Sequence, residues 1–259
     1  YLLANRSAET ILNRRREDAT GLTAADIFNP REAKLIIARD EAAIKKRGLL
    51  TEEHPISTKD GLRLFITRRM TVLDEAGEPQ YLIKTHEDVT DRRQTESRMA
   101  HMAYHDGLTD LPNRAAFLQA LAQMIEACAG TEEEFAVLCV DLDGLKEIND
   151  VFGHAMGDKL LIEVAGRIQN SARGGLVARL SGDEFGLIID GKQPEAGKAL
   201  AELLAQIMSE EFLIDGKSVR TGITTGISVF PHHGADAASL LANSGAALFR
   251  AKQKSRGSI

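Results

Sequence analysis

No stretch of this chain approaches the roughly 20 consecutive apolar residues that a membrane-crossing helix requires. A run such as FAVLCV at 135–140 is far too short. A basic excess is also missing: 32 Lys and Arg face 38 Asp and Glu, a formal net charge of −6, which argues against a nucleic-acid partner. Cysteine is scarce, and Cys128 and Cys139 have no metal-ligand spacing, so they read as reduced, buried thiols of a cytoplasmic protein. The opening YLLANRSAET lacks the basic start, apolar core and cleavage site of a secretory leader. It also lacks a methionine, so the chain is expected to be a fragment of a longer protein, whose other parts could be anchored elsewhere.

What is present is ordinary for a soluble globular protein: 259 residues, 43% hydrophobic and 27% charged. That length exceeds most single cores and predicts two domains. In the first, to about Asp91, PREAKLIIARDEAAIKKRG reads as a helix with Pro30 near its start and Gly48 just past its end. GLRLFITRRMTVLDEAGEPQYLIKTHEDVT reads as two strands joined by a turn, preceded by a Lys-Asp-Gly hairpin signal at 59–61. From Thr90 to Tyr104 neither Gly nor Pro occurs. Asp91 and Gln94 have the spacing of a capping box, and Met99 and Met102 are the few apolar anchors. This predicts an exposed connector helix, at 92–104, able to pair with a copy of itself.

The rest alternates helices and strands. Helices are expected at RAAFLQALAQMIEACA, GDKLLIEVAGRIQN, AGKALAELLAQIMSEEF and SGAALFRAKQK. Strands are expected at FAVLCVDL and VRTGITTGISVF, with a hairpin in LVARLSGDEFGLIID. That order is α+β: a mostly antiparallel sheet flanked by helices.

Two acidic segments carry chemical character. FAVLCVDLDGLKEINDVFGHAMGD is an apolar strand ending at Asp141 and Asp143. Carboxylates at such a sheet edge, with apolar protein behind them, suit a hard cation. Lys146 lies near enough to meet an anion, and Gly153 and Gly157 bracket His154 and Asp158, letting backbone approach a ligand. An EF-hand fails here, because glycine stands at the fourth position of the loop and Phe152 where the bidentate Glu belongs. The second segment, RLSGDEF, places Asp183 and Glu184 at a hairpin tip. Each segment alone also fits plain turn and cap chemistry. Together they would repel unless a cation joined them, and Mg²⁺ typically takes one or two carboxylates with phosphate oxygens completing its shell. The joint pattern suggests a metal–nucleoside triphosphate site.

The motifs DGLTDLPNR, VDLDGLKEINDVFGHAMGD, RLSGDEF and LFRAKQKSRG, in this order over the last 155 or so residues, resemble the GGDEF family of diguanylate cyclase domains. The resemblance implies a palm-like fold over 105–259 that condenses two GTP into cyclic di-GMP with release of pyrophosphate. The upstream 1–91, ending in HEDVTDRR with Asp88 and Thr90 at an Asp-x-Thr junction, resembles a PAS domain that lacks its first strand. It has an antiparallel sheet with short helices, senses a ligand or promotes dimerisation, and shows no legible cofactor motif.

Residue by residue, the resemblance implies that Asp141, the Leu142 carbonyl and Asp183 hold Mg²⁺ or Mn²⁺, with Glu184 as a further ligand or base. Asn149 and Asp158 match the guanine-reading positions and His154 a further nucleotide contact. Lys146, Lys252 and Arg256 match phosphate-facing cations, the last two sharing a helix face if the helix runs that far. Each domain supplies one half-site, so a homodimer through the PAS domain and connector helix is implied. Two departures stand out. Ser181 replaces the first glycine of the signature, which a turn tolerates if no positive φ is needed there. Ala172 and Gly175 occupy the Arg and Asp positions of the family's product-inhibition motif, so that feedback is not expected, and the nearby Arg173 reads as a surface residue. The ending SRGSI resembles chains that continue into an EAL phosphodiesterase domain. This keeps a second function open: a GTP-binding regulatory module that controls a downstream EAL domain.

Overall fold

The structure is a computed structural model that describes residues 1–58, 61–172, 174–255 and 257–259. It divides into two compact units, Tyr1–Arg98 and Met99–Ile259.

The first unit begins with three short helices, α1 (Ala8–Leu12), α2 (Arg16–Ala19) and α3 (Ala24–Ile27), then a long α4 (Pro30–Lys46). Asn29 caps α4 by accepting from the backbone N–H groups of Arg31 and Glu32 at 3.1 and 3.0 Å, with Pro30 as its first residue. Pro30 is the start signal that the sequence reading names; the Asn29 cap is an addition from the structure. Strands β1 (Leu49–Thr58), β2 (Gly61–Leu73) and β3 (Pro79–Asp88) form an antiparallel sheet in the order β1-β2-β3. The sequence reading names β2 and β3 but not β1. The Lys-Asp part of the hairpin signal between β1 and β2 lies outside the described residues. Arg69 on β2 is only 2% exposed, and its guanidinium donates to Asp40 on α4 at 3.0 Å and to Glu52 on β1 at 2.8 Å. Lys84 on β3 donates to the same Asp40 at 2.7 Å. A buried arginine is tolerated here because two carboxylates partner it.

Helix α5 spans Thr90–Tyr104. The expected Asp91–Gln94 capping box does not form, because Asp91 already lies inside the helix. The carboxylate that holds its start is Asp88, which accepts from the Thr90 N–H at 2.9 Å and the Thr90 hydroxyl at 2.6 Å.

The second unit contains α6 (Arg114–Cys128), β4 (Phe135–Leu142), α7 (Leu145–Phe152), α8 (His154–Ser171), β5 (Leu176–Ser181), β6 (Glu184–Asp190), α9 (Glu195–Met208), β7 (Phe212–Ile214), β8 (Lys217–Val219), β9 (Ile223–Phe230) and α10 (Ala237–Lys254). The main sheet is antiparallel, in the order β5-β6-β4-β9. Every residue of β4 is buried, and its alternation sorts two cores. Ala136, Leu138, Val140 and Leu142 join the cluster built with Leu160, Val164 and Ile168 of α8 and Leu204 of α9. Phe135, Val137 and Cys139 face Phe117 and Leu121 of α6 and Leu248 of α10. Helices therefore cover both faces of this sheet.

Four expectations need correction. The acidic end of β4 is not at a sheet edge: β6 and β9 flank it on both sides. The segment VRTGITTGISVF is two strands, because the backbone leaves β8 after Val219 and re-enters pairing only at Ile223. Phe212, expected inside a helix, starts β7, which pairs with β8 as a separate hairpin. Helix α10 ends at Lys254 with Ser255 extended behind it, so the condition for Lys252 and Arg256 to share a helix face is not met. Arg256 itself, like Arg173, lies outside the described residues. No helix among the described residues is long and apolar enough to cross a membrane.

Candidate active site

Strand pairing brings the two acidic segments together. Asp141, next to last on β4, is the register partner of Glu184, first on β6. Beyond that pair the Leu142 N–H donates to the Asp183 carbonyl at 3.1 Å, tying the hairpin tip to the end of β4. Asp143, one step on, is anchored from β9: its N–H donates to the Gly222 carbonyl at 2.9 Å, and its Oδ1 accepts from the Thr224 hydroxyl at 2.9 Å.

Asp141 is 4% exposed. Its carboxyl is raised above the usual aspartate range first by burial; the hydrogen bond from Lys252 opposes the rise, and the charges of Asp183 and Glu184 add to it. The Lys252 ammonium stands 2.6 Å from Asp141 Oδ1. Its reach follows from packing, because α10 presses on β9 at Gly226, where a Cβ would overlap backbone atoms of Ser244 and Leu248. The sequence placed Lys252 on phosphate, whereas its partner in the structure is Asp141. A donor set of hard oxygens around one buried, crowded carboxylate fits a hard divalent cation. Among the described residues, the ligand atoms of Asp141, Asp183 and Glu184 do not all fall within 4.8 Å of one another.

The signature turn tolerates Ser181 without strain. Ser181 is the last residue of β5 and is not among the residues with positive φ, while Gly182, the next residue, takes φ +46°. The Ser181 hydroxyl donates to Glu184 Oε2 at 3.1 Å, a contact that glycine could not make.

Asn149 on α7 and Gly157 on α8 meet where the two helices turn at Gly153. Asn149 Oδ1 is buried and accepts no hydrogen bond. A Cβ at Gly157 would stand 2.9 Å from Asn149 Cγ and would overlap Oδ1. An orphaned buried acceptor costs free energy unless a donor arrives, and a guanine edge carries such donors. Asp158 follows Gly157 on α8 and is exposed, as are His154, at the first position of that helix, and Lys146 on α7.

Two residues that support the site escaped the sequence reading. The Arg179 guanidinium on β5 donates to the Gly182 carbonyl through Nε at 2.9 Å and Nη2 at 2.7 Å, and to Asp106 Oδ1 through Nη1 at 2.8 Å. Burial alone would raise Asp106, but the hydrogen bonds from Arg179 and then Thr109 outweigh it and hold the carboxyl below its ordinary value. The available signal was an arginine inside an otherwise apolar strand, directly before the acidic turn.

Comparison with known proteins agrees with this geometry. Residues 103–258 match the family described as diguanylate cyclase, GGDEF domain, and residues 1–94 match the PAS fold. Over 159 residues the chain is 41% identical to the bifunctional diguanylate cyclase/cyclic di-GMP phosphodiesterase MucR of Pseudomonas aeruginosa, covering 61% of this chain and 23% of that protein. Over 256 residues it is 31% identical to the cyclic di-GMP phosphodiesterase PdeR of Escherichia coli, covering 95% of this chain and 38% of that protein. The solved GGDEF domain of TpbB (YfiN) from Pseudomonas aeruginosa superposes with a TM-score of 0.57 at 39% identity, covering 60% of this chain and 91% of that one. The chain thus spans well under half the length of these two curated relatives.

Proposed function

This chain belongs to the GGDEF family of diguanylate cyclase domains, with a PAS-fold segment ahead of it, and we infer that it joins two molecules of GTP into cyclic di-GMP with release of two pyrophosphates. The observation that carries the reading is the register pairing of Asp141 with Glu184 beside the Leu142–Asp183 backbone bond. It converts two sequence-distant acidic turns into one cluster.

Asp141, the Leu142 carbonyl, Asp183 and Glu184 would hold Mg²⁺ or Mn²⁺, which when bound lowers the pKa of the ribose 3′-hydroxyl and offsets charge on the α-phosphate. The protein's own groups do the remaining work. Asn149 Oδ1, already buried and unpaired, accepts from the guanine edge, and Asp158 accepts beside it. Glu184, held by Ser181, takes the proton of the attacking hydroxyl. Lys252, whose ammonium stands 2.6 Å from Asp141 Oδ1, would meet the triphosphate, as would Lys146, His154 and Arg256. Preorganised charge of this kind supplies most of the barrier lowering in phosphoryl and nucleotidyl transfer.

One domain binds one GTP, so two copies must meet face to face. Helix α5 has no buried residue and exposes Met99, Met102 and Tyr104, which suits it to act as the connector that pairs the copies together with the PAS domain, 1–91.

A specific observation favours a second reading. The relative that aligns with 95% of this chain is named a phosphodiesterase. The chain would then bind GTP at the same residues and use it to control an adjoining EAL domain. Incubating the purified chain with GTP and Mg²⁺ separates the two. Cyclic di-GMP formed by the parent and absent from Asp183→Ala supports the cyclase. Tight GTP binding without product supports the regulatory module.

A further inference from the structure

The described residues contain one group of three or more His, Cys, Asp or Glu whose potential ligand atoms lie within 4.8 Å of one another, apart from the acidic cluster: His101, His105 and Asp110. Asp141, Asp183 and Glu184 do not form a second such group. His101 stands on the last turn of α5 and His105 directly follows it, so the two are four residues apart, on one helix face. Their rings stack with centroids 4.0 Å apart and planes 10° from parallel. Asp110 comes from the loop that follows, with its backbone in the left-handed region at φ +61°.

That loop is tied to the helix end. The Asn113 amide donates to the Ala103 carbonyl at 3.0 Å, the Asn113 N–H donates to the Tyr104 carbonyl at 2.9 Å, and the Asp110 N–H donates to the Asp106 carbonyl at 3.0 Å. Asp110 is therefore delivered to the histidines by a fixed backbone rather than by a chance side-chain encounter.

The hydrogen bonds assign the ring nitrogens. His105 Nδ1 lies 2.9 Å from the Asp110 carbonyl. A carbonyl only accepts, so Nδ1 carries the proton and Nε2 is left with its lone pair. This second-sphere arrangement orients metal-binding histidines. His101 Nε2 lies 2.5 Å from Asp110 Oδ1, a hydrogen-bond contact that widens to admit a cation between the two atoms.

We propose that His101, His105 and the Asp110 carboxylate form a binding site for a divalent transition-metal ion of the zinc class, separate from the acidic cluster at Asp141. Two imidazoles and one carboxylate are a three-ligand set for tetrahedral Zn²⁺, with water at the fourth position. Binding requires the exposed His101 ring to turn out of its stack on His105, because lone pairs in near-parallel ring planes do not meet at one ion. Imidazole nitrogens suit Zn²⁺, Cu²⁺ and Ni²⁺ and disfavour Mg²⁺, which demands oxygen. The site is open to solvent, because the His101 and Asp110 side chains are 51% and 80% exposed, so the ion needs no entry path. Once bound, it would clamp the end of α5 to the loop that also presents Asp106 to Arg179.

The test is equilibrium dialysis of the full, untagged, metal-stripped chain against Zn²⁺ in excess Mg²⁺, which keeps the acidic cluster occupied. One bound Zn²⁺ is expected. His101→Gln and Asp110→Asn should each weaken it by roughly tenfold or more, while an Asp141→Asn, Asp183→Asn double variant should bind as the parent does. Both single changes are at exposed side chains, and asparagine tolerates positive φ, so circular dichroism should match the parent. Absence of Zn²⁺ binding by the parent, or undiminished binding by both single variants, would overturn the proposal.

Discussion

Asn149 and Gly157 share one small volume: the Asn149 carboxamide oxygen fills the place that a side chain at 157 would need, and it does so without a hydrogen-bond partner. If Asn149 reads guanine as proposed, the glycine is part of that pocket, although it contributes no polar atom. Gly157→Ala should leave the fold intact, since α8 gains helix propensity worth about 1 kcal/mol and the Asn149 side chain can swing aside. The cost should appear in GTP affinity, with the Kd rising roughly tenfold for one lost hydrogen bond. Calorimetric titration with GTP, alongside a thermal melt, separates the two effects. A lowered Tm with unchanged GTP affinity would contradict this role.

Ser181 bears on whether the altered signature matters. Its backbone needs no positive φ, and its hydroxyl holds Glu184 Oε2 at 3.1 Å. Ser181→Gly restores the family residue and removes one neutral-to-charged hydrogen bond. Cyclase turnover should change by only a few-fold, and GTP affinity should stay as in the parent. Ser181→Val, which introduces a β-branched strand former and loses the donor, should behave like the glycine variant if the bond merely orients Glu184. A complete loss of turnover in Ser181→Gly would show the hydroxyl to be essential.

The sequence made the central strand and its acidic end legible because FAVLCVDL is uniformly apolar until it stops, the mark of a strand buried on both faces. It did not show β1, where Glu52, Glu53, His54 and Pro55 interrupt any apolar alternation. In the structure that strand has no fully buried position, and it survives on the antiparallel pairing with β2 and the Glu52–Arg69 contact. Helix α7 was missed because it is eight residues long and starts from a left-handed Gly144 rather than a capping side chain. The partner of Lys252 was not readable at all. It depends on α10 crossing β9 at Gly226, a tertiary fact with no local signature. Arg179 was in plain view as a charge within LVARL, and its meaning emerged only when Asp106 came from 73 residues away.

The Asp106–Arg179 pair predicts a variant that folds less well and turns over more slowly. Both side chains are largely buried, at 24% and 11% exposure, and the same guanidinium holds the signature turn through the Gly182 carbonyl. Asp106→Asn removes the charge that orients it. The expected loss is about 1–3 kcal/mol of stability for a hydrogen bond to a charged group, read from urea denaturation. Cyclase kcat should fall more than the KM for GTP rises, because the turn carrying Asp183 and Glu184 loosens while Asn149 is untouched. Equal effects on both parameters would point to a general loss of structure instead.

His86 makes the stability of the PAS-fold unit depend on pH. Burial is the main cause that brings its imidazole down from 6.5 to about 4, and the charges of Lys84 and Arg69 push the same way. The unfolded chain takes up this proton below about pH 6.5, whereas the folded chain resists until about pH 4. Between those values the unfolded state binds more protons, so stability falls as the pH falls. It is fully present above about 6.5 and is reduced by up to about 3 kcal/mol at pH 4. His86→Gln keeps a group able to hydrogen-bond the Thr67 hydroxyl, which lies 2.8 Å from His86 Nδ1, but does not titrate. Urea unfolding of the chain at pH 7 and pH 4.5 should therefore show a smaller acid loss in His86→Gln than in the parent. Identical acid losses in the two proteins would assign the pH dependence to other groups.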